Sequence, residues 1–300
     1  MNLTGLRAFH VVAEAGSFTR AAAATGLSQP TLSSQVRLLE MTHDASLFDR
    51  KGRGVSLTPL GRRLYDITAR LFAAEEDASA LLDGAKTLRR GHLRVAADSA
   101  THVMPLLSAL KQRHAGLSFS LSIDNSTNVL ARLIDYGADI AVTARNTSDP
   151  RLHSRLLRRD RLVLFAPRGH ALALTGAIAI AALAGVDLVI RETGSITREV
   201  FESRLAEAGI RPGTLVEVQG REAVREAVAS GFGIGIVFDS EFAPDPAFTT
   251  ITVYDADLDV AEYVVCLEAR RRLPLVRGFL DLVPAGDSVP AIPTPRSVEG

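Results

Sequence analysis

From residue 60 to residue 88, apolar or small side chains recur at alternating steps of four and three: Leu60, Leu64, Ile67, Leu71, Ala74, Ala78, Leu81, Ala85 and Leu88. A seam of that period belongs to one long helix that buries a stripe against another helix, and no strand can present it. A second copy of the chain can meet the stripe, or packing inside the same molecule can; the alanines keep it narrow. The run stops at Arg89-Arg90-Gly91, two cations and a glycine that end a helix well. At 300 residues the chain is too long for one ordinary core, and this helix marks where it divides.

On the N-terminal side, the first 65 residues carry Arg7, Arg20, Arg37, Arg50, Lys51, Arg53, Arg62 and Arg63 against Glu14, Glu40, Asp44 and Asp49. The whole chain has a formal net charge of zero, so a polyanionic partner must be met by this local excess. Leu3, Leu6, Phe9, Val12 and Ala13 mark the inner face of a first helix that Gly16 ends. Ser17 caps a second helix over 18–25, whose small residues 21–24 permit close packing, and Gly26 closes it. Ser28 caps a third, with Pro30 in its first turn. Leu32, Val36 and Leu39 fall at core spacing, which leaves Gln29, Thr31, Ser33, Ser34 and Arg37 on other faces: hydrogen-bonding side chains suited to reading base edges. Residues 47–58 read as a β-hairpin with a basic tip, placing Arg50, Lys51 and Arg53 against phosphates or in a minor groove. Taken alone the helix pair could be a solvated bundle; joined to the basic wing and the long helix it reads as a DNA-binding unit.

Beyond Gly91 short apolar runs alternate with helical stretches. Strands are expected near 92–97, 118–123 and 139–144 with helices near 104–112 and 129–136, then strands near 162–166, 187–191, 215–218 and 234–238 with helices near 197–208 and 222–230. This order predicts a mostly parallel sheet in two α/β lobes. Ligands of such sheets sit beyond the carboxyl ends of strands. Four polar segments occupy those places: Asp98-Ser99-Ala100-Thr101, Arg145-Asn146 after Ala144, the stretch 192–198 with Ser195, Thr197 and Arg198, and Arg221 between Gly220 and Glu222. The third combines hydroxyls, a helix start and a guanidinium, which makes an anion cradle. Ser195 and Thr197, like Ser99 and Thr101, either hold a ligand or cap their own helices; Arg145 and Arg221 either reach it or serve the structure; Asp98 either binds an amine or pairs within the protein. The spacing Gly231-x-Gly233-x-Gly235 lacks the order of a dinucleotide fingerprint and leads into a strand, so it reads as close packing.

No nucleophile elbow, phosphate-binding P-loop or zinc-binding His pair occurs, and the seven histidines are scattered, so neither catalysis nor a metal or other cofactor is expected. The one cysteine, Cys266, lies in an apolar run and fits a reducing compartment. The N-terminus lacks an export leader, and the longest apolar stretch, 171–186, is interrupted and short for a bilayer. A cytoplasmic protein with no membrane partner is the expectation. Residues after Pro284, rich in Pro, Ser and Gly, read as a disordered tail.

The run GSFTRAAAATGLSQPTLSSQVRLLE followed by LFDRKGRGVSLTPLGRRL resembles the N-terminal domain of LysR-type transcriptional regulators, and the β/α order after Gly91 resembles their effector-binding domain. The resemblance implies a winged helix-turn-helix over 1–59, a dimerising helix over 60–90, a two-lobed domain like periplasmic binding proteins over 91–284 and a tail over 285–300. It also implies double-stranded DNA, a small anionic effector, a homodimer or homotetramer and, for an activator, RNA polymerase as partners. In that frame Ser28, Gln29, Pro30, Thr31, Ser33, Ser34, Arg37 and the wing cations meet DNA. Two departures stand out: His43-Asp44 replaces the family's usual Leu-Gly, and Ser34 stands where many members carry arginine. The stretches DSATHVMPLL, REAVREAVASGFGIGIVFDSEF and DVAEYVVCLE are similar to a subgroup associated with aminoethylphosphonate catabolism, which implies a ligand with a phosphonate end and an amine end, the latter on Asp98.

Overall fold

A computed structural model describes residues 2–49, 55–84 and 91–284, and the chain separates into two compact units near residue 86. The first unit is built from helices whose ends are written in the sequence. Helix α1 (Leu3–Ala15) begins at Asn2, whose side chain accepts from the N–H groups of Thr4 and Gly5, and ends at Gly16 with φ 61°. Helix α2 (Phe18–Thr25) begins at Ser17 and ends at Gly26 with φ 69°; α3 (Gln29–Thr42) begins at Ser28, with Pro30 in its first turn. The absent Leu-Gly pair does not prolong α3. Asp44 itself takes the left-handed conformation, φ 45°, a turn that Asp tolerates better than most residues. Phe9, Val12, Ala21, Leu32, Val36 and Leu39 form the centre of this unit's core.

Strands β1 (Phe48–Asp49) and β2 (Ser56–Leu57) pair antiparallel as Phe48↔Leu57 and Asp49↔Ser56. The Glu40 carboxylate anchors this ladder by accepting from the N–H of Leu47 at 2.8 Å and of Phe48 at 3.3 Å. Helix α4 (Pro59–Gly84) opens on Thr58, whose hydroxyl accepts from Gly61 N–H at 3.0 Å. One face, with Thr68, Ala69, Phe72 and Ala73, is buried; the seam face leaves Leu60 43%, Ile67 53% and Leu71 37% exposed. Leu64, assigned to the seam, is half-buried against the unit's own core. The Leu81 side chain, Ala85, Leu88 and the expected stop at 89–90 lie outside the described residues, as do the wing cations Arg50, Lys51 and Arg53 and the tail after Pro284.

The second unit is two lobes on one continuous mixed sheet. Its strands are β3 (Gly91–Ala97), β4 (Leu117–Ile123), β5 (Ile140–Thr143), β6 (Leu152–Pro167), β7 (Ala177–Ile178), β8 (Leu188–Arg191), β9 (Leu215–Val218), β10 (Ile234–Phe238), β11 (Phe248–Val253) and β12 (Asp259–Leu267). Helices α5 (Ala100–Arg113), α6 (Ser126–Ile134) and α9 (Pro274–Leu280) serve the first lobe; α7 (Ile196–Glu207) and α8 (Arg221–Ala229) serve the second. The main strand order is β4-β3-β5-β12-β6-β10-β8-β9.

Within each lobe the expected parallel pairing holds, for β3 with β4 and β5 and for β8 with β9 and β10. At the junction it does not. β6 and β12 pair antiparallel with each other and with their neighbours β10 and β5, because one strand carries the chain into the second lobe and the other brings it back. Separate apolar clusters cover the two faces of the sheet in each lobe. Gly233 and Gly235 have the packing role read for them: an added Cβ would lie 2.4 Å from Asp187 O in one case and 2.4 Å from the Phe165 ring in the other.

The tightest approach in the first unit is at Gly61, where a Cβ would sit 2.1 Å from Leu47 O. Backbone cannot move aside as a side chain can, so Gly61→Ala must lift α4 off the β1 segment. It should destabilise the first unit by about 1–3 kcal/mol, the usual range for overpacking, which chemical denaturation followed by circular dichroism measures; unchanged stability contradicts the packing.

Candidate functional site

On α3 the residues Gln29, Pro30, Thr31, Ser34 and Arg37 are exposed and Ser33 is half-buried, opposite the buried Leu32, Val36 and Leu39. Not all the polar groups are available to a partner. Ser28 Oγ accepts from Thr31 N–H at 3.2 Å and lies 2.7 Å from Thr31 Oγ1, so it serves as the cap, and Ser34 Oγ donates back to Thr31 O at 2.9 Å. Gln29 and Arg37 make no side-chain hydrogen bond among the described residues. Together with Leu38 and Met41 they border a shallow concavity of about 540 Å³ along the helix.

In the second unit a cavity of about 680 Å³ lies between the lobes. The first lobe contributes Ser99, Ala100 and Thr101 at the start of α5 with Ile123, Asp124 and Asn125 at the end of β4; the second contributes Arg191 and Glu192 at the end of β8 with Gln219 to Ala223 at the start of α8. Two helix starts therefore open on one space. Neither cap residue, Ser99 for α5 or Gly220 for α8, gives a side-chain hydrogen bond to its helix, so first-turn N–H groups and the positive dipole ends are left for another acceptor.

The sequence-selected residues separate accordingly. Ser99, Ala100, Thr101 and Arg221 reach the cavity, whereas Arg145, Asn146, Ser195, Thr197 and Arg198 do not line it. The cradle expected after Gly194 is closed by the first lobe: Thr127 N–H and Oγ1 both lie 3.2 Å from Gly194 O, and Ser195 and Thr197 are buried. Arg198 pairs with Glu217 at 2.6 Å and Glu202 at 2.9 Å, and Arg145 pairs with Glu199. Asn146 turns its side chain onto Thr147 N–H.

Asp98 is the clearest correction. Its Oδ2 accepts from the hydroxyls of Ser126 (2.8 Å) and Thr143 (2.9 Å) and from Ala144 N–H (2.9 Å), so it ties the ends of β3 and β5 to α6, and it is not among the residues that line the cavity.

Sequence reasoning missed Arg191, Glu192 as its partner, and Asn125. The signal for the first was a charged pair ending an apolar strand. Arg191 meets Glu192 through two bonds of 2.8 and 2.7 Å. Burial raises the Glu192 carboxyl, but the Arg191 hydrogen bond and charge together with Gly220 N–H bring it down to about 2.

The family described as "Bacterial regulatory helix-turn-helix protein, lysR family" matches residues 3–62, and "LysR substrate binding domain" matches residues 86–287. The chain belongs to the LysR family of transcriptional regulators. It is 35% identical over 241 residues to the RuBisCO operon transcriptional regulator of Allochromatium vinosum, covering 79% of each chain. Its fold is similar to a full-length OxyR variant from Pseudomonas aeruginosa, with a TM-score of 0.73 at 21% identity over 94% of each chain. It is also similar to the CcmR regulatory domain of Synechocystis PCC6803 in complex with 2-PG, with a TM-score of 0.59 at 24% identity over 64% of this chain and 95% of that one. This LysR regulator thus has a DNA-binding head and an effector-binding domain. Among the described residues no helix is long and apolar enough to cross a membrane.

Behind the cavity the LysR effector domain buries His102, Glu241 and Glu262, each with a shifted protonation. Burial pulls His102 down, but the hydrogen bond and charge of Glu262 and the charge of Glu241 leave it raised. Burial raises Glu241 and Glu262 beyond what Arg221 and His102 respectively offset. The signs agree. The His102 contribution to stability is complete below the ordinary histidine value of 6.5 and is lost as pH rises through its folded value. Glu241 and Glu262 hold protons more tightly folded than unfolded, so their contribution also fades as pH rises. Asp139 and Glu192, which are lowered, lose theirs only in stronger acid. The effector domain should therefore melt at a lower temperature at about pH 8 than at about pH 6, read by differential scanning fluorimetry; a melting temperature that climbs across that range contradicts the assignment.

Proposed function

We propose that this regulator reads its operator with α3, anchors on phosphates with the wing, dimerises along α4 and responds to a small anion held between the lobes of its effector domain. The observation that carries the effector reading is the convergence of two helix starts without side-chain caps, those of α5 and α8, on one cavity that also holds Arg191 and Arg221. Free N–H groups at helix starts and guanidinium groups are the usual ligands of phosphate, phosphonate and carboxylate.

The cavity residues Ser99, Ala100, Thr101, Arg191 and Arg221 are the ones assigned to that anion. The phosphonate of aminoethylphosphonate suits this set. Its amine loses the partner that Asp98 was expected to be, so an anion without an amine is the better match. The 2-PG found with the similar CcmR domain is the first compound to try. A thiol switch is disfavoured: Cys266 is the chain's one cysteine, is buried, and has its thiol pushed up to about 12 by that burial, so it holds little of the reactive thiolate.

The α4 seam supports a dimer because Leu60, Ile67 and Leu71 are exposed while the opposite face is buried. A dimer presents two α3 helices to two half-sites. The RuBisCO operon regulator that the chain resembles makes genes of that kind the first candidates for its control, with RNA polymerase as the further partner of an activator. We read the chain as a regulator without an enzymatic step, resident in the cytoplasm where its DNA is.

The operator test is a single substitution. Gln29, exposed and without a partner on its own helix, is placed to make a bidentate contact with a base. Gln29→Ala should reduce the ratio of operator to random-sequence affinity by about 1–3 kcal/mol, while Arg37→Ala, if it meets phosphate, weakens both alike. Fluorescence anisotropy with DNA from upstream of the regulated genes gives both constants. An unchanged ratio for Gln29→Ala removes α3 from the reading role.

A further inference from the structure

The ionisable groups behind the cavity come from both lobes and from the two strands that join them. His102 of α5 has Nδ1 2.7 Å from Glu262 Oε1 of β12 and Nε2 2.8 Å from Ser240 Oγ. The Ser240 hydroxyl donates to Asp160 of β6, with Arg158 3.4 Å from the same carboxylate. Glu241, in the 3₁₀ turn Asp239–Glu241 after β10, has a side chain only 3% exposed. Its Oε2 lies 2.5 Å from Arg221 Nε and its Oε1 3.9 Å from His102 Nδ1, and neither oxygen accepts a well-formed hydrogen bond among the described residues. The Ser99 hydroxyl donates toward this carboxylate in a looser contact and lowers it less than Arg221 does. Asp98 adds a negative charge nearby, and Arg221 also donates to Asp98 O. Three cationic side chains, His102 when protonated, Arg158 and Arg221, thus face the carboxylates of Asp160, Glu241 and Glu262. Of the three, Arg221 is the one in the cavity wall.

An anion entering the cavity competes with a protein carboxylate at each arginine it meets. At Arg191 that carboxylate is Glu192, 15% exposed, held low at about 2 and able to keep its charge while turning outward. Glu241 has no such exit. A buried carboxylate that loses its cation without reaching water relieves the cost by taking a proton. We propose that an anionic effector draws Arg221 away from Glu241 and that Glu241 takes up one proton from solvent in the same event, so that effector binding and protonation are coupled. The ionic contact between Arg221 and Glu241 breaks, one between Arg221 and the anion forms, and the carboxylate becomes a carboxylic acid. The charge of the buried cluster is then unchanged by the loss of Arg221. The inference rests on the effector reading above and adds two things to it: affinity that strengthens as pH falls, and discrimination against neutral ligands, which cannot compete for Arg221.

Direction supports this arrangement. Burial already raises Glu241, and Arg221, the largest influence opposing that rise, is the one the anion removes. His102 is the competing proton acceptor, but its strongest partner is Glu262, which the effector does not touch.

Sulfate is a suitable probe because its own charge is constant near neutrality. Calorimetric titration of the full chain with sulfate at about pH 7.5, in two buffers of different ionisation heat, counts the protons exchanged. The expected uptake approaches one proton per sulfate, with affinity rising up to about tenfold for each pH unit lowered. In Glu241→Gln sulfate should still bind, with the uptake lost and the pH slope flat. Sulfate binding without proton uptake, or uptake that persists in Glu241→Gln, overturns the coupling and leaves the effector reading in place. Absence of any binding of sulfate and of 2-PG at tens of millimolar overturns both. If Glu241→Gln does not fold, as circular dichroism would reveal, the uptake and pH slope of the unmodified chain decide alone: zero overturns the coupling, one supports it.

Discussion

Two antiparallel strands hold the effector domain together, and the rest of its behaviour follows from them. β6 and β12 are paired from Asp259↔Arg161 to Leu267↔Leu152, with a break in register between Glu262 and Tyr263. Each lobe is completed by part of this ladder, so no motion of one lobe against the other is possible without twisting it. Strands tolerate twist better than the loss of hydrogen bonds, and a register break is where such a ladder bends most easily. Under the proposed function, a ligand that touches both lobes would work against this ladder, and its binding energy would bias one lobe arrangement over another. The same junction carries Asp160 and Glu262, so the bending point and the buried polar cluster coincide.

Polar groups buried elsewhere in the domain serve to hold, not to move. Asp139 accepts from Arg94 N–H at 2.8 Å and pairs with Arg94 at 3.0 Å and Arg270 at 2.7 Å. Burial would raise its carboxyl, but the Arg94 bond and the charges of Arg94 and Arg270 hold it below the usual aspartate value. Asp98 does comparable work with neutral donors. Each carboxylate is held by several donors at once, which makes a buried network rigid. The cluster around Glu241 is different because its carboxylate oxygens lack well-formed hydrogen bonds, and a half-satisfied network is the one that a change in the cavity can tip.

The three helices at the start of the DNA-binding head were legible in the sequence almost to the residue. Ser17 and Ser28 cap helices and Gly16 and Gly26 end them by local chemistry that needs no tertiary knowledge, and the i, i+4, i+7 spacing of Leu32, Val36 and Leu39 fixes which face of α3 is free; the Asn2 cap of α1 is seen only in the structure. The lobes were legible as alternation, and the strand expected near 162–166 is the second part of β6, but its first part and β12 were not legible: β12 runs through Glu262 and β6 through Asp160, charges that break the apolar signal of a strand for reasons visible only once His102 and Arg158 are beside them. The cavity between the lobes was legible in part. Ser99, Thr101 and Arg221 sit at strand ends where an α/β cleft must be, whereas Ser195 and Arg198 satisfy the same rule and yet are closed off by Thr127 and by Glu217. Strand-end position is a local property, and which ends face each other depends on how two lobes meet. Asp98 misled because the hydroxyls that satisfy it stand 28 and 45 residues along the chain, so that in one dimension its carboxylate looks free.

Effector control depends on whether the space between the lobes holds an anion at the α5 and α8 helix starts. Isothermal titration of the full chain with 2-PG, beside the same titration of Thr101→Ala, tests this most directly, since Thr101 adds a hydroxyl to the cavity wall without supporting the core. The predicted result is saturable binding at one site per chain, weakened about five- to tenfold in Thr101→Ala, the size of one lost hydrogen bond. Binding of equal strength in both proteins, or heat that never saturates for 2-PG and for sulfate alike, would contradict it.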